Sequence, residues 1–335
     1  MLKHLLSLLS AAVLSAVILL SGCAAPQPIS KTGFCLNTTC TVTLYDTEDE
    51  ALLDGAFARI EHYENLFSKT VEGSDISRIN QAEGAPVAVD PETAELLRAA
   101  ISYSELTGGK FDVTIGRVSS LWDFTSESPV PPSKEEVAEA LATVGSQNLS
   151  VEGNTVTVPA GTQLDLGGIA KGYIADRVAD YLRENGVERA IINLGGNVLT
   201  IGGKSDSQPW KVGIQQPFAS HSSIIGSVSV SDWSVVTSGI YERCFTYEGA
   251  FYHHILDPQT GYPVANGLQA VTILSESSAT ADALSTASFL LGADEAKALI
   301  ESLPDTEAIF ITLDGSVETT SGIGTQIPFE QKALV

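Results

Sequence analysis

The chain has 335 residues, with 18 Lys and Arg against 41 Asp and Glu, a formal net charge of −23. That balance excludes a Lys/Arg footprint for nucleic acid. With 44% hydrophobic and only 18% charged residues the chain is neither disordered nor fibrous, and its length suits one large domain or two closely joined ones. Any phosphate chemistry in so acidic a chain has to lean on a metal ion or on backbone N–H groups.

Residues 2–20 are apolar apart from Lys3, His4 and a few serines, and the run ends at Ser21-Gly22-Cys23. This is the pattern of a secretory signal peptide. Leu20-Ser21-Gly22-Cys23 resembles the bacterial lipobox, which implies cleavage before Cys23, acylation of its thiol and an extracytoplasmic protein anchored to a membrane. An uncleaved membrane helix is the alternative, because the run is nearly long enough to span. The expected organisation is a signal peptide over 1–22, a lipidated Cys23 and tether over 23–33, and one folded unit over 34–335. Cleavage removes only Lys3, so the exported part carries −24. Cys35, Cys40 and Cys244 then remain, without CxxC spacing or nearby zinc-ligand histidines.

Residues 34–45 alternate and are rich in Thr and Val, which predicts one strand. Odd spacing in that strand puts Cys35 and Cys40 on opposite faces, as packing residues rather than a disulfide. Leu53, Phe57, Ile60 and Leu66 predict a helix over 52–67. Asp90 as N-cap and Pro91 at the first position open a second helix that Gly108-Gly109 stops. A third is predicted over 133–144, with Glu135 and Glu136 in its first turn.

Short strands are predicted at 148–151, 155–158, 190–194, 210–214, 226–230, 234–237, 252–256 and 268–274, and helices at 169–185 and 280–291, the latter closed by Gly292. A hairpin joined by Asp314-Gly315 ends the pattern at 307–312 and 316–319. Strands outnumber helices and are mostly joined by turns, so the fold class is α+β with mixed or antiparallel sheets. Solute-binding lipoproteins of two βαβ lobes do not fit that order.

Familiar motifs fail. Gly203-Lys204-Ser205 copies the end of a P-loop, but Val198 stands where its first Gly belongs. No Ser stands three residues before any Lys, which excludes the penicillin-binding enzymes.

Three segments remain. Asp165-Leu-Gly-Gly-Ile-Ala-Lys171 runs from a strand into a helix, and its glycines let backbone N–H groups approach a phosphate or ribose, unless it is only a tight connection capped by Asp165. Asp282, Ser285 and Thr286 share one helical face, a donor set suited to Mg²⁺, unless the hydroxyls simply bond back to their own helix. His253 and His254 lie in a predicted strand and face opposite ways, so at most one of them enters a given site as a proton acceptor, unless they are surface residues beside a turn.

Asp165-Leu-Gly-Gly-Ile-Ala-Lys-Gly172, Thr237-Ser-Gly-Ile-Tyr-Glu-Arg243, His254-Ile-Leu-Asp-Pro-Gln-Thr-Gly261 and Ala281-Asp-Ala-Leu-Ser-Thr286, in that order, resemble the ApbE family of FAD:protein FMN transferases. Ser74-Asp-Ile-Ser-Arg-Ile-Asn80 and Gly109-Lys-Phe-Asp-Val-Thr-Ile-Gly116 are similar to its upstream segments. The resemblance implies an ApbE-like, T-fold-like catalytic unit of two intimately joined subdomains. It further implies Mg²⁺-dependent transfer of the FMN half of FAD to a Ser or Thr hydroxyl of an acceptor flavoprotein in an exported or membrane electron-transfer system, with release of AMP. A pyrophosphatase that gives water the attacking role is the alternative.

By the same resemblance, metal ligands fall on Asp282, Thr286, the adjacent Ser285 and the Gly168 carbonyl. FAD contacts fall on Leu36, Lys110, Phe111, Asp112, Asp165, Lys171 and the backbone at Ile255. His254 matches the family's essential histidine and is assigned as base, with Asp257 as its orienting carboxylate. Two positions depart from the pattern: Leu36-Asn37-Thr38 replaces Met-Gly-Thr, and Thr70 stands where other members place an aromatic against the flavin.

Overall fold

The structure, a computed structural model, describes residues 26–205, 208–220 and 222–332. The expected signal segment, the lipobox and Cys23 lie outside the described residues. Among those described, no helix is long and apolar enough to cross a membrane.

The predicted strand over 34–45 is a hairpin, Ile29–Cys35 paired antiparallel with Thr38–Leu44. Its first strand begins inside the stretch expected to be tether. Leu36 and Asn37 both take left-handed backbone, φ 55 and 56, the geometry of a two-residue hairpin turn. The register pairs Gly33 with Cys40 and Cys35 with Thr38, so both cysteines share a face, contrary to the expectation from one regular strand. They are free thiols as expected, with Cys40 Sγ donating to the Cys35 carbonyl at 3.5 Å.

That hairpin starts an eight-stranded antiparallel sheet. It continues through Ala190–Leu194, Asn197–Ile201, Ser234–Gly239, Leu268–Ser275, Thr306–Thr312 and Val317–Thr319. Helices Glu50–Phe67 and Ala170–Glu184 bury Ala56, Ile60, Ile174 and Val178 against Val42, Leu44, Ile192 and Leu194. Helix Ser278–Leu291 lays Leu284 and Phe289 against Val271 and Ile273. Behind these later strands a small sheet of Trp210–Gln215, Ile224–Val230 and Phe329–Gln331 covers Leu274, Ile309 and Ile311. Covered on both faces, Leu268–Ser275 is apolar along most of its length instead of alternating.

Local chemistry explains the helix boundaries. Asp90 accepts from Glu92 N at 2.9 Å and opens Pro91–Leu106. Ser133 and Glu136 form a reciprocal capping box at Lys134–Leu141. Gly292 ends Ser278–Leu291 at φ 85, a value at which a Cβ would strain the backbone. The hairpin across Asp314-Gly315 is present, with Asp314 Oδ1 accepting from Ser316 N at 3.0 Å. The strand predicted at 252–256 stops at His253, as the second half of Cys244–Tyr247/Ala250–His253. Asn197–Ile201, Cys244–Tyr247 and Phe329–Gln331 were not predicted. The fold class is α+β.

Candidate active site

A cavity of about 760 Å³ opens where the Leu36-Asn37-Thr38 turn, the end of helix Glu50–Phe67, the glycine turn and helix Ser278–Leu291 converge. Its size suits a dinucleotide-sized ligand. Leu36, Lys110, Phe111, Asp112, Asp165, Gly168, Lys171, His254, Ile255, Asp282 and Thr286 all line it, whereas Ser285 and Asp257 do not.

The glycine turn is shaped by close approach. Gly172 meets the first turn of helix Ser278–Leu291, where a Cβ would stand 2.2 Å from the Ser278 carbonyl oxygen. A Cβ on Gly168 would stand 3.2 Å from the Phe111 ring and 3.5 Å from Thr286 Oγ1. Gly172 N–H donates to Asp282 Oδ2 at 2.9 Å rather than to the carbonyl of Gly168 four residues back, its partner in a continued helix.

Asp282 is 3% exposed, and its other oxygen has Lys171 Nζ at 3.5 Å. A buried carboxylate oxygen with one distant cation, a threonine hydroxyl one turn on and a carbonyl free of its helical donor make a fitting donor set for a hard cation. Among the described residues no group of three His, Cys, Asp or Glu could hold a metal. The oxygen set of Asp282, Thr286 and the Gly168 carbonyl suits an ion such as Mg²⁺, which takes one or two carboxylates and fills its shell from water and substrate phosphate. Ser285 stands behind it: fully buried, it donates to the Asp282 carbonyl at 2.8 Å and meets Ser238 Oγ at 2.8 Å.

Of the two histidines, His254 enters the cavity. His253 turns away, its Nδ1 accepting from Ile255 N at 3.3 Å and its Nε2 bonded to the Val264 carbonyl at 2.9 Å. His254 Nδ1 is buried without a hydrogen-bond partner. Burial pushes the imidazole down to about 4, helped by the positive charge of Arg243, so it is neutral at pH 7. Asp257 does not orient it. Its oxygens accept instead from Lys110 Nζ at 3.1 Å and Gln259 N at 2.9 Å, which pins the turn after the histidines.

Asp112 is also occupied within the fold. One oxygen takes Thr114 N and Oγ1 at 2.8 and 2.6 Å, and the other takes Ser146 N at 2.9 Å. Asp165 accepts from Gly167 N at 2.9 Å, Ser119 Oγ at 2.7 Å and Lys69 Nζ at 2.8 Å. Burial works to raise this carboxyl, but the Lys69 ion pair and the hydrogen bonds outweigh it and hold it below the usual carboxylate range.

Lys69, Ser119, Ser238 and Arg243 are cavity residues that sequence reasoning did not single out. Ser238 and Arg243 lay within a quoted segment without an assigned role, and Lys69 adjoins Thr70. Thr70 lines the cavity with its hydroxyl 3.0 Å from Ser68 Oγ, while Phe67, Phe111, Trp122 and Phe124 supply aromatic wall.

The ApbE family model matches residues 36–310. The FAD:protein FMN transferase of Klebsiella pneumoniae is 39% identical over 279 residues, 82% of this chain and 86% of the relative. That of Treponema pallidum is 34% identical over 323 residues, 90% of this chain and 89% of the relative. Among solved structures, the ApbE protein of Thermotoga maritima has a TM-score of 0.81 at 35% identity, covering 88% of this chain and 97% of that one. The apo flavinyl transferase ApbE of Pseudomonas stutzeri has a TM-score of 0.79 at 30% identity, covering 89% and 96%. Sequence and fold thus agree over nearly the whole described chain, which belongs to the ApbE family.

Proposed function

We propose that this chain is an FAD:protein FMN transferase, which moves the FMN half of FAD onto a Ser or Thr hydroxyl of a partner flavoprotein and releases AMP. The observation that carries this reading is the convergence of the glycine turn, the Asp282–Thr286 face and a neutral His254 on one cavity. Its curated relatives are named FAD:protein FMN transferases.

The charges in the cavity bear on how a pyrophosphate is held. Lys69, Lys110, Lys171 and Arg243 face six carboxylates, those of Glu64, Asp112, Asp123, Asp165, Glu242 and Asp282. A site with four cations against six anions repels a bare pyrophosphate. Mg²⁺ held by Asp282, Thr286 and the Gly168 carbonyl would neutralise charge on the phosphate oxygens. The chain's own residues do the rest. The turn's glycines let the backbone close on the substrate, and Phe111 walls one side. In the transfer, the acceptor oxygen bonds to the FMN-side phosphorus as its proton passes to the His254 imidazole. The P–O bond to the bridging oxygen breaks, and AMP leaves with that electron pair.

The test mixes protein, FAD, Mg²⁺ and an exported flavoprotein domain carrying a Ser/Thr-Gly-Ala-Thr/Ser segment. An FMN-sized mass gain on the acceptor is expected; free FMN and AMP with no gain would make water the acceptor and the protein a pyrophosphatase. The proposal includes membrane anchoring through Cys23, on the strength of Leu20-Ser21-Gly22-Cys23. The mature protein should carry an acyl mass on Cys23, and Cys23→Ala should lack that mass and retain residues 1–22.

A further inference from the structure

Most exposed large apolar side chains here stand apart, as on any protein surface. Phe218 and Phe251 do not. They are 58% and 43% exposed with ring centroids 6.0 Å apart, and Phe218 also meets the Tyr241 ring at 6.0 Å. Phe218 further holds φ 58, a left-handed backbone that a residue with a Cβ adopts only against a steric penalty. The fold keeps a strained residue there and leaves its ring in water.

Phe251 lies on the hairpin Cys244–Tyr247/Ala250–His253, which forms a sheet of its own. The residues at the hairpin's two roots, Arg243 and His254, are joined by His254 N donating to the Arg243 carbonyl at 3.1 Å, and both line the cavity. One hairpin face, Phe245 and Tyr252, packs on the cavity residue Trp122, with the Tyr252 and Trp122 rings 5.6 Å apart. The other runs from buried His253 out to Phe251, 6.1 Å between rings.

We propose that Phe218 and Phe251 form the docking surface for the acceptor protein. This rests on the transferase reading: the acceptor hydroxyl belongs to a folded chain too large for the cavity, so it must be presented at the mouth while the acceptor's surface covers the rim. This pair adjoins that rim in the chain: Phe251 is three residues from His254, and Phe218 meets Tyr241, next to Glu242. Glu242 in the cavity wall and Glu248 at the hairpin tip are acidic, like the chain as a whole at −23. The matching acceptor face is therefore apolar and free of surplus carboxylates beside the modified hydroxyl.

The double variant Phe218→Ser/Phe251→Ser in the full-length protein tests it. FMN transfer to the flavoprotein domain named above is followed at varied acceptor concentration, and FAD binding by quenching of flavin fluorescence. The acceptor KM should rise about tenfold or more, the loss of a hot-spot contact, with kcat and FAD affinity unchanged. An unchanged KM overturns the proposal, and would follow if the pair faced lipid instead. Lost FAD affinity also overturns it, because the pair would then belong to the flavin site. If the wild-type protein labels no acceptor, the transferase reading fails and takes this one with it; a competent wild type with an unaffected variant refutes the docking surface alone.

Discussion

Gly172→Ala separates two physical effects of opposite sign. In a helix interior Ala is favoured over Gly by roughly 1 kcal/mol, so propensity alone predicts a stabilised protein. The structure predicts the reverse. The added Cβ would lie 2.2 Å from the Ser278 carbonyl oxygen, 2.6 Å from its carbon and 2.7 Å from Ala279 Cα, all backbone atoms of the facing helix. No rotamer change relieves a clash with backbone, so helices Ala170–Glu184 and Ser278–Leu291 must separate by the better part of an ångström. Overpacking of that kind costs about 1–3 kcal/mol, and stretching the 2.9 Å bond from Gly172 N to buried Asp282 adds about 1 kcal/mol or more. After the propensity gain, a net loss of roughly 1–3 kcal/mol remains. For a domain of this size that lowers Tm by several degrees. Because Asp282 and Lys171 both move, transfer activity should fall further than stability does. Urea unfolding of wild type and variant, with FMN transfer measured well below either midpoint, reads both quantities. A variant as stable as wild type would show that the helices yield without cost and would refute the argument.

The other predictions concern charge. His254 is held near 4 by burial, against 6.5 when exposed, so between those values the unfolded chain binds a proton that the native chain refuses; stability should fall as pH drops from 6.5 to 4, and His254→Gln should flatten that slope. The same variant should transfer FMN about 10²–10⁴-fold more slowly while still quenching flavin fluorescence, and a normal rate would remove the base role. Asp282→Asn keeps an acceptor for Gly172 N and should melt near wild type while losing its response to Mg²⁺, whereas Asp282→Ala strands that N–H and should cost about 1–3 kcal/mol as well. Lys69→Met leaves Asp165 with Ser119 and Gly167 only, and should cost about 1–3 kcal/mol at pH 7. Its sign follows from the depressed Asp165 carboxyl, whose contribution is present above 3.8 and lost as pH falls, so the variant and wild type should converge in acid.

What could be read from the chain was whatever residue types signal locally. Asp90-Pro91, the Ser133/Glu136 box and Asp314-Gly315 each carry their own punctuation, and those elements stand where the sequence put them. The first hairpin was hidden because its turn is Leu36-Asn37. Without Gly at either left-handed position it reads as uninterrupted strand, and the turn is held by a distant partner, Glu64 Oε1, accepting from Leu36 N at 3.0 Å. The site divides the same way. Motif order brought out Asp165, Lys171, His254, Asp282 and Thr286, all of which reach the cavity. The pairing of Lys110 with Asp257, 147 residues apart, has no local signature, and so the sequence alone pairs Asp257 with His254.

By count the cavity is less short of cations than the chain, four against six rather than 18 against 41, yet none of its lysines is free. Each cavity lysine already holds an aspartate: Lys69 with Asp165 at 2.8 Å, Lys110 with Asp257 at 3.1 Å and Lys171 with Asp282 at 3.5 Å. None can turn to a pyrophosphate without leaving a carboxylate behind, and a largely buried carboxylate left unpaired is costly. The three are not equally held. Lys69 also donates to Ser119 and Ser120 at 2.9 and 3.3 Å, and Lys110 to Gln259 at 3.1 Å, whereas Lys171 adds only the Gly167 carbonyl at 3.2 Å to its long ion pair. Lys171 is therefore the lysine most readily released, and its partner is the same Asp282 that a divalent cation would take over. On that geometry, a divalent cation that took over Asp282 would free the Lys171 ammonium and leave it available to a pyrophosphate.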